Sequence, residues 1–163
     1  MQGITLTFGL TEKDIAQVLE IANLCELSTW SAADYAFEIQ RKDTIALGIF
    51  ESERLTGFIV GRRVPGAGGA NSRDAEIYNI GVRPEYHRQG AGSALINDFI
   101  RCCVGHCVES IWLDVRARNI RAITFYNKFA FKQIYCRKDY YSSPLDDAVV
   151  MMADVRSAVL TFP

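Results

Sequence analysis

Long apolar runs are missing from this 163-residue sequence. None approaches the ~18 residues that a membrane-spanning helix needs, so no membrane association is expected. A surplus of positive charge is missing too: 18 Lys and Arg stand against 19 Asp and Glu, for a formal charge of −1. A chain so balanced lacks the cationic excess on which nucleic-acid affinity rests. Its five cysteines, Cys25, Cys102, Cys103, Cys107 and Cys136, are odd in number and mostly embedded in apolar stretches. That pattern argues against a disulfide framework and for a reducing, cytoplasmic compartment. Met1 to Leu10 has no basic segment leading into an apolar one, so no secretory signal is expected. The cluster Cys102-Cys103-Val104-Gly105-His106-Cys107 has neither the spacing of a zinc site nor an evident fourth ligand, so no metal is expected. Internal repeats and low-complexity segments are absent as well.

What is present is a regular alternation of strand and helix patterns. Ile4 to Phe8 reads as a strand, and Thr11 to Asp14 as a helix start with Thr11 as cap and Ile15, Val18, Leu19 and Ala22 behind it. Ser31 to Asp34 begins a second helix. Ile45 to Ile49 and Leu55 to Val64 form a hairpin around the polar turn Glu51 to Arg54. Pro65 to Ser72, rich in glycine, is a long loop between adjacent strands. Glu76 to Val82 is a strand, Gly90 to Cys103 a helix, Ile111 to Val115 a strand, and Asn119 to Phe129 a helix capped by Asn119. Phe131 to Cys136 and Ala148 to Met152 are the last strands, joined by a Tyr-Tyr-Ser-Ser-Pro loop. The order βααβββαβαββ defines a single α/β domain over residues 1–156 with a short tail at 157–163.

The segment Ile80-Gly81-Val82-Arg83-Pro84-Glu85-Tyr86-His87-Arg88-Gln89-Gly90-Ala91-Gly92-Ser93 carries the clearest chemistry. A strand ends, Pro84 turns the chain, and two glycines lead into a helix. Unpaired amides at a helix start, at the positive end of its dipole, make a phosphate site. Arg88 adds a charge and Ser93 a hydroxyl. The segment is neither a dinucleotide fingerprint, because the third glycine is missing, nor a Walker loop, because no Gly-Lys-Ser/Thr follows. On these residues the stretch Arg83-Pro84 to Gly92 resembles the acetyl-CoA loop of GNAT N-acetyltransferases, with His87 where that family usually has Gln or Arg. The resemblance implies that Ile80, Gly81, Val82 and His87 to Ser93 hold acetyl-CoA.

Trp112-Leu113-Asp114-Val115-Arg116-Ala117-Arg118-Asn119 runs from a strand into a helix bearing Ala122, Ile123 and Tyr126. Read alone, Tyr126 is a core aromatic. Together with Arg137-Lys138-Asp139-Tyr140-Tyr141, Asp147-Ala148-Val149-Val150-Met151 and Trp30-Ser31, the pattern resembles bacterial ribosomal-protein-alanine N-acetyltransferases, strongly from Ala75 to Met152. That resemblance implies a GNAT fold, a mixed and mostly antiparallel central sheet flanked by about four helices. It also implies acetyl transfer from acetyl-CoA to a protein or peptide N-terminus, with a small-subunit ribosomal protein as substrate. Asn119 and Tyr126 are carried over as cofactor contacts, and Trp30, Tyr78, Asn79, Tyr140 and Tyr141 as substrate contacts. Departures are Asp114 for the family's Glu, Thr29 for a Pro, and Ala130 where a glycine usually ends the helix. A GNAT acting on lysine side chains or small amines, and a non-catalytic acyl-CoA-binding module, remain as alternatives.

An amine must lose a proton before it attacks a thioester, so the site wants a base. Asp114 holds the position that the resemblance favours, and Glu76, at the start of the strand leading to the loop, is its competitor. Tyr126, whose free phenol titrates near ~10, is the candidate acid for the departing thiolate. Strand alternation puts Glu76, Tyr78 and Ile80 on one face with Asn79 on the other, and Asp114 with Trp112 and Arg116. Arg116 and Arg118 are the expected ion-pair partners of Asp114 if it is merely structural. Arg62 and Arg63 read as hairpin charge.

Overall fold

A computed structural model of the chain describes residues 7–27, 29–65 and 73–162. The expected strand residues Ile4 to Leu6 and most of the glycine-rich loop lie outside the described residues. Strands are β1 (Thr7–Gly9), β2 (Thr44–Glu51), β3 (Arg54–Pro65), β4 (Arg73–Val82), β5 (Ser110–Arg116), β6 (Lys132–Ser142) and β7 (Leu145–Asp154). Helices are α1 (Ile15–Leu24), α2 (Ala32–Ile39), α3 (Ala91–Gly105), α4 (Ile120–Asn127) and α5 (Val155–Val159). The hydrogen-bonded strand order is β1-β2-β3-β4-β5-β7-β6. The pairs β1/β2, β2/β3, β5/β7 and β6/β7 are antiparallel, and β4/β5 is parallel. A parallel pair needs a crossover, which α3 supplies. This is the mixed, mostly antiparallel α/β architecture that the resemblance implied.

Contacts group the chain into two compact units, Met1–Arg62 with Tyr78–Cys102 and Arg63–Ile77 with Cys103–Pro163. Strand β4 and helix α3 contribute residues to both. In the first unit, α1 buries Ile15, Val18, Ile21 and Ala22 at helical spacing. These join Leu10, Tyr35, Leu55, Phe58 and Val60 in one core, where each fully buried large side chain contributes ~1.5–3 kcal/mol. Gly81 lets α1 and the residues after it lie close against the sheet: a Cβ there would sit 2.9 Å from Ile21 and 3.1 Å from Leu27. Ser31 caps α2 by accepting from the Asp34 amide, and Asp34 accepts from the Ser31 amide in return. At the entry to α1, Thr11 is the N-cap as expected, in a capping box with Asp14. Asp14 is the acceptor, taking the Thr11 amide and hydroxyl across a single 3-10 turn at Glu12–Asp14.

In the second unit β7 lies between β5 and β6, which explains its near-continuous apolar run from Ala148 to Ala153. Strand β6 is longer than expected. It runs through Arg137, Tyr140 and Tyr141 to a two-residue turn at Ser143-Pro144, so the Tyr-Tyr pair stands on a strand rather than in a loop. An edge strand exposed along nearly its whole length has no apolar alternation to reveal it. The chain end also departs from expectation. Residues on both sides of the 156/157 boundary form α5, capped by Asp154 through the Ser157 amide at 3.0 Å, with Val155 and Ala158 buried.

Candidate active site

The loop after β4 is built from behind. Arg83 is buried, and its guanidinium donates to both carboxylate oxygens of Glu20 at 2.7 Å and to the Leu55 carbonyl at 2.7 Å. Its amide reaches the Thr56 carbonyl at 2.8 Å. Arg83, which the sequence showed only as the first residue of the loop pattern, is therefore an anchor, tying the loop to α1 and β3. The Arg83 contact holds the Glu20 carboxyl below its usual range. A 3-10 turn over Pro84–Tyr86 follows, and Gln89 donates back to the Glu85 carbonyl at 2.8 Å. The Nε2–H of His87 donates to the Val82 carbonyl at 2.7 Å, so its side chain braces the loop against the end of β4.

Two residues then take left-handed backbone, Arg88 at φ 62° and Gly90 at φ 87°. Gly90 is exposed, with nothing within 4 Å of where a Cβ would stand. From there α3 begins, and its first internal bond runs from Ala94 to the Gly90 carbonyl at 2.9 Å. The amides of Ala91, Gly92 and Ser93 precede that bond and stand at the positive end of a 15-residue helix. Arg88 is exposed and makes no ion pair among the described residues. Open backbone, outward amides and a spare guanidinium fit the pyrophosphate of a CoA ester. Ile80 and Val82 are half-buried on one face of β4, whereas Gly81 belongs to the packed face beneath α1.

Also in the first unit, the Trp30 ring lies 5.4 Å from that of Tyr78 and 5.2 Å from the buried Tyr35. Arg62, read as plain hairpin charge, stacks over Tyr78 at 5.4 Å and approaches the buried Glu38 carboxylate at 3.4 Å. Asn79 is only 4% exposed and occupies the face of β4 opposite Tyr78. The two residues carried over as substrate contacts thus do not share a surface of the strand.

The acid and base candidates belong to the second unit. Glu76 pairs with Trp112 across the parallel β4/β5 ladder. Asp114 stands two residues further along β5, so both carboxylates project from the same face of the sheet. Asp114 is half-buried, and its carboxyl is raised above the ordinary value by burial, with Arg137 opposing. Its ion-pair partner is Arg137, at 3.4 Å, rather than the expected Arg116 or Arg118. Arg116 donates to the carbonyls of Pro144 and Ser143 and stacks on Tyr141 at 4.1 Å. Arg118 faces Asp146 at 3.8 Å.

Tyr126 on α4 is buried between Phe125 and Phe131, with ring centroids at 5.5 and 5.7 Å. Burial pushes its phenol upward, so the group stays protonated. Its hydroxyl has no hydrogen-bond partner among the described residues. Asn119 accepts from the Ala122 amide at 3.0 Å and so serves as the helix cap. Tyr140 is half-exposed beneath Arg137, and Tyr141 is raised by burial and by Asp114. The residues that sequence reading missed are Glu20 and Arg137. Nothing in the pattern marks Glu20, whereas Arg137 stood in the quoted Arg-x-x-Tyr-Tyr element without a role. Among the described residues no three His, Cys, Asp or Glu side chains gather closely enough to hold a metal ion. Nor is any described helix long and apolar enough to cross a membrane.

Residues 15–131 match the family described as "Acetyltransferase (GNAT) family". The [ribosomal protein bS18]-alanine N-acetyltransferase of Escherichia coli K12 is 38% identical over 80 residues, 48% of this chain and 54% of that one. The alignment thus spans about half the length of that relative. The corresponding protein of Salmonella typhimurium LT2 is 26% identical over 144 residues, 87% of this chain and 92% of its own. The crystal structure of the ribosomal-protein-S18-alanine N-acetyltransferase from Escherichia coli superimposes with a TM-score of 0.80 at 25% identity, covering 93% of this chain and 94% of that one.

Proposed function

The chain belongs to the GNAT acetyltransferase family, and on that premise we propose that it is an acetyl-CoA-dependent enzyme that acetylates the α-amine at a protein N-terminus. The observation that carries the reading is the loop into α3, where exposed Gly90 at φ 87° precedes three outward amides. Those amides and Arg88 bind the pyrophosphate. Tyr78 and Trp30 in the first unit, and Tyr140 and Tyr141 in the second, are the aromatic side chains that the resemblance assigns to the peptide.

Asp114 accepts the proton of the incoming ammonium, directly or through water. Burial raises its carboxyl toward the working pH, which makes it a better acceptor than a solvated acid. Glu76, on the same sheet face, orients the water or competes for the proton. The amine nitrogen then attacks the thioester carbonyl carbon. A carbon–nitrogen bond forms, the carbon–sulfur bond breaks, the departing thiolate takes a proton from the Tyr126 hydroxyl, and the second proton that the nitrogen sheds on becoming an amide restores the phenol, which burial strongly favours in its protonated form. No covalent enzyme intermediate is required.

The relatives named above favour an N-terminal alanine on a small-subunit ribosomal protein as substrate. Five free thiols fit a reducing cytoplasm. The test is a rate panel with an Ala-starting peptide, the same peptide with a blocked N-terminus, and a blocked peptide bearing lysine. Turnover only with the free N-terminus is expected, and Asp114→Asn should lower kcat/KM by ~10²–10⁴ near neutral pH. Turnover on the blocked lysine peptide alone would move the substrate to side-chain amines.

A further inference from the structure

We infer that Arg137 is a positioning residue for the proton acceptor: held by two tyrosines on β6, its guanidinium orients the Asp114 carboxylate from across β7. The inference rests on the reading of Asp114 as the base. The sheet register explains how the two meet. Asp114 pairs with Val150, and Val150 with Tyr135; Arg116 pairs with Ala148, and Ala148 with Arg137. All six therefore share one face of the sheet, in two adjacent rows. In the second row the side chain between the two arginines is only a methyl group. Arg137 is thus free to lean along the strand toward Asp114, reaching one carboxylate oxygen at 3.4 Å. The other oxygen is left for the amine or its water.

The guanidinium itself is not loose. It donates to the Tyr135 hydroxyl at 3.1 Å, and its carbon lies 5.7 Å from the Tyr135 ring and 5.4 Å from the Tyr140 ring. A cation placed over aromatic faces keeps its charge while losing rotational freedom. Arg116, which shares the face with Asp114, is committed to two backbone carbonyls and to Tyr141. That leaves Arg137 as the cation that serves Asp114. The groups facing Asp114 are Arg137, Tyr135 and Tyr141 from β6, Arg116 from β5 itself, and Glu76 from β4 at the level of Trp112. Strand β7 offers Ala148 and Val150, which do not titrate. Burial raises the Asp114 carboxyl and Arg137 limits the rise. The arginine therefore keeps a half-buried base ionised in the range where the amine must be deprotonated.

The sign of the test follows. Without Arg137 the carboxyl rises further, and the acid limb of kcat/KM moves to higher pH. The measurement is a carbon-13 titration of aspartate carboxyls in the free enzyme, with Asp114 assigned through Asp114→Asn, beside a kcat/KM profile on an Ala-starting peptide. In Arg137→Gln the Asp114 titration should rise by about 1 unit, with the acid limb following. Arg137→Lys should restore most of the position, and Tyr135→Phe should shift it in the same upward direction by less. An Asp114 titration unmoved by Arg137→Gln overturns the inference. A titration that moves while the acid limb stays fixed overturns the reading of Asp114 as base, and Arg137's role with it. Because Arg137 is 44% exposed on an edge strand, its variants are expected to fold, and the titration reads the pair even in an inactive protein.

Discussion

Ala130 follows helix α4 with φ 63°, a left-handed conformation that sets its Cβ against the neighbouring carbonyl oxygen. The adjoining amides of Phe129 and Phe131 both return to the Tyr126 carbonyl, at 2.9 and 3.3 Å, so the strained residue lies in the turn that ends the helix of the proposed acid. Ala130→Gly should stabilise the protein by about 1 kcal/mol, read as a rise in the denaturant midpoint. Unchanged or lowered stability would mean that the turn relaxes without strain. This feature is legible in the sequence because a residue missing its usual glycine carries a specific backbone demand. Asn119 as a helix cap is legible for a similar reason, since its side chain acts within one turn. Arg83 and Arg137 are not. Their roles depend on partners 63 and 23 residues away, and no local pattern encodes a partner so distant.

At the scale of elements, the loop proposed to receive the co-substrate depends on what α1 and β3 offer it. Arg83 makes three side-chain hydrogen bonds from a buried position, whereas the Glu20 carboxylate that it meets is 56% exposed. Removing the arginine should therefore matter more than neutralising the acid. Arg83→Met is expected to cost about 2 kcal/mol of stability and to raise KM for acetyl-CoA more than it lowers kcat. Glu20→Gln should cost under about 1 kcal/mol. Equal tolerance of both variants, by denaturation and by acetyl-CoA titration, would contradict the anchoring role. Elements were readable where one face is buried, as in β4, β5 and α1, because burial imposes the period, although β4 begins at Arg73, ahead of the expected Glu76. Bounds were not readable in β6, whose residues are almost all exposed, nor in α5, whose five residues are too short to display a helical period.

For the whole molecule, the α/β class and the strand and helix order up to β7 follow from alternation, caps and turns. The sheet's strand order, with β7 between β5 and β6, is not a local property, but the apolar run from Ala148 to Ala153 is its trace. The site divides in the same way. The loop announces itself through Gly90 and Gly92, while the choice between Asp114 and Glu76 turns on burial and on Arg137, which only the fold brings into play. The most direct check on the proposed activity uses one peptide carrying both an N-terminal alanine amine and an internal lysine, incubated with enzyme and acetyl-CoA and mapped by fragment mass spectrometry. A single acetyl group on the alanine nitrogen is predicted. Acetyl on the lysine, or none while the enzyme still binds acetyl-CoA, would contradict N-terminal transfer.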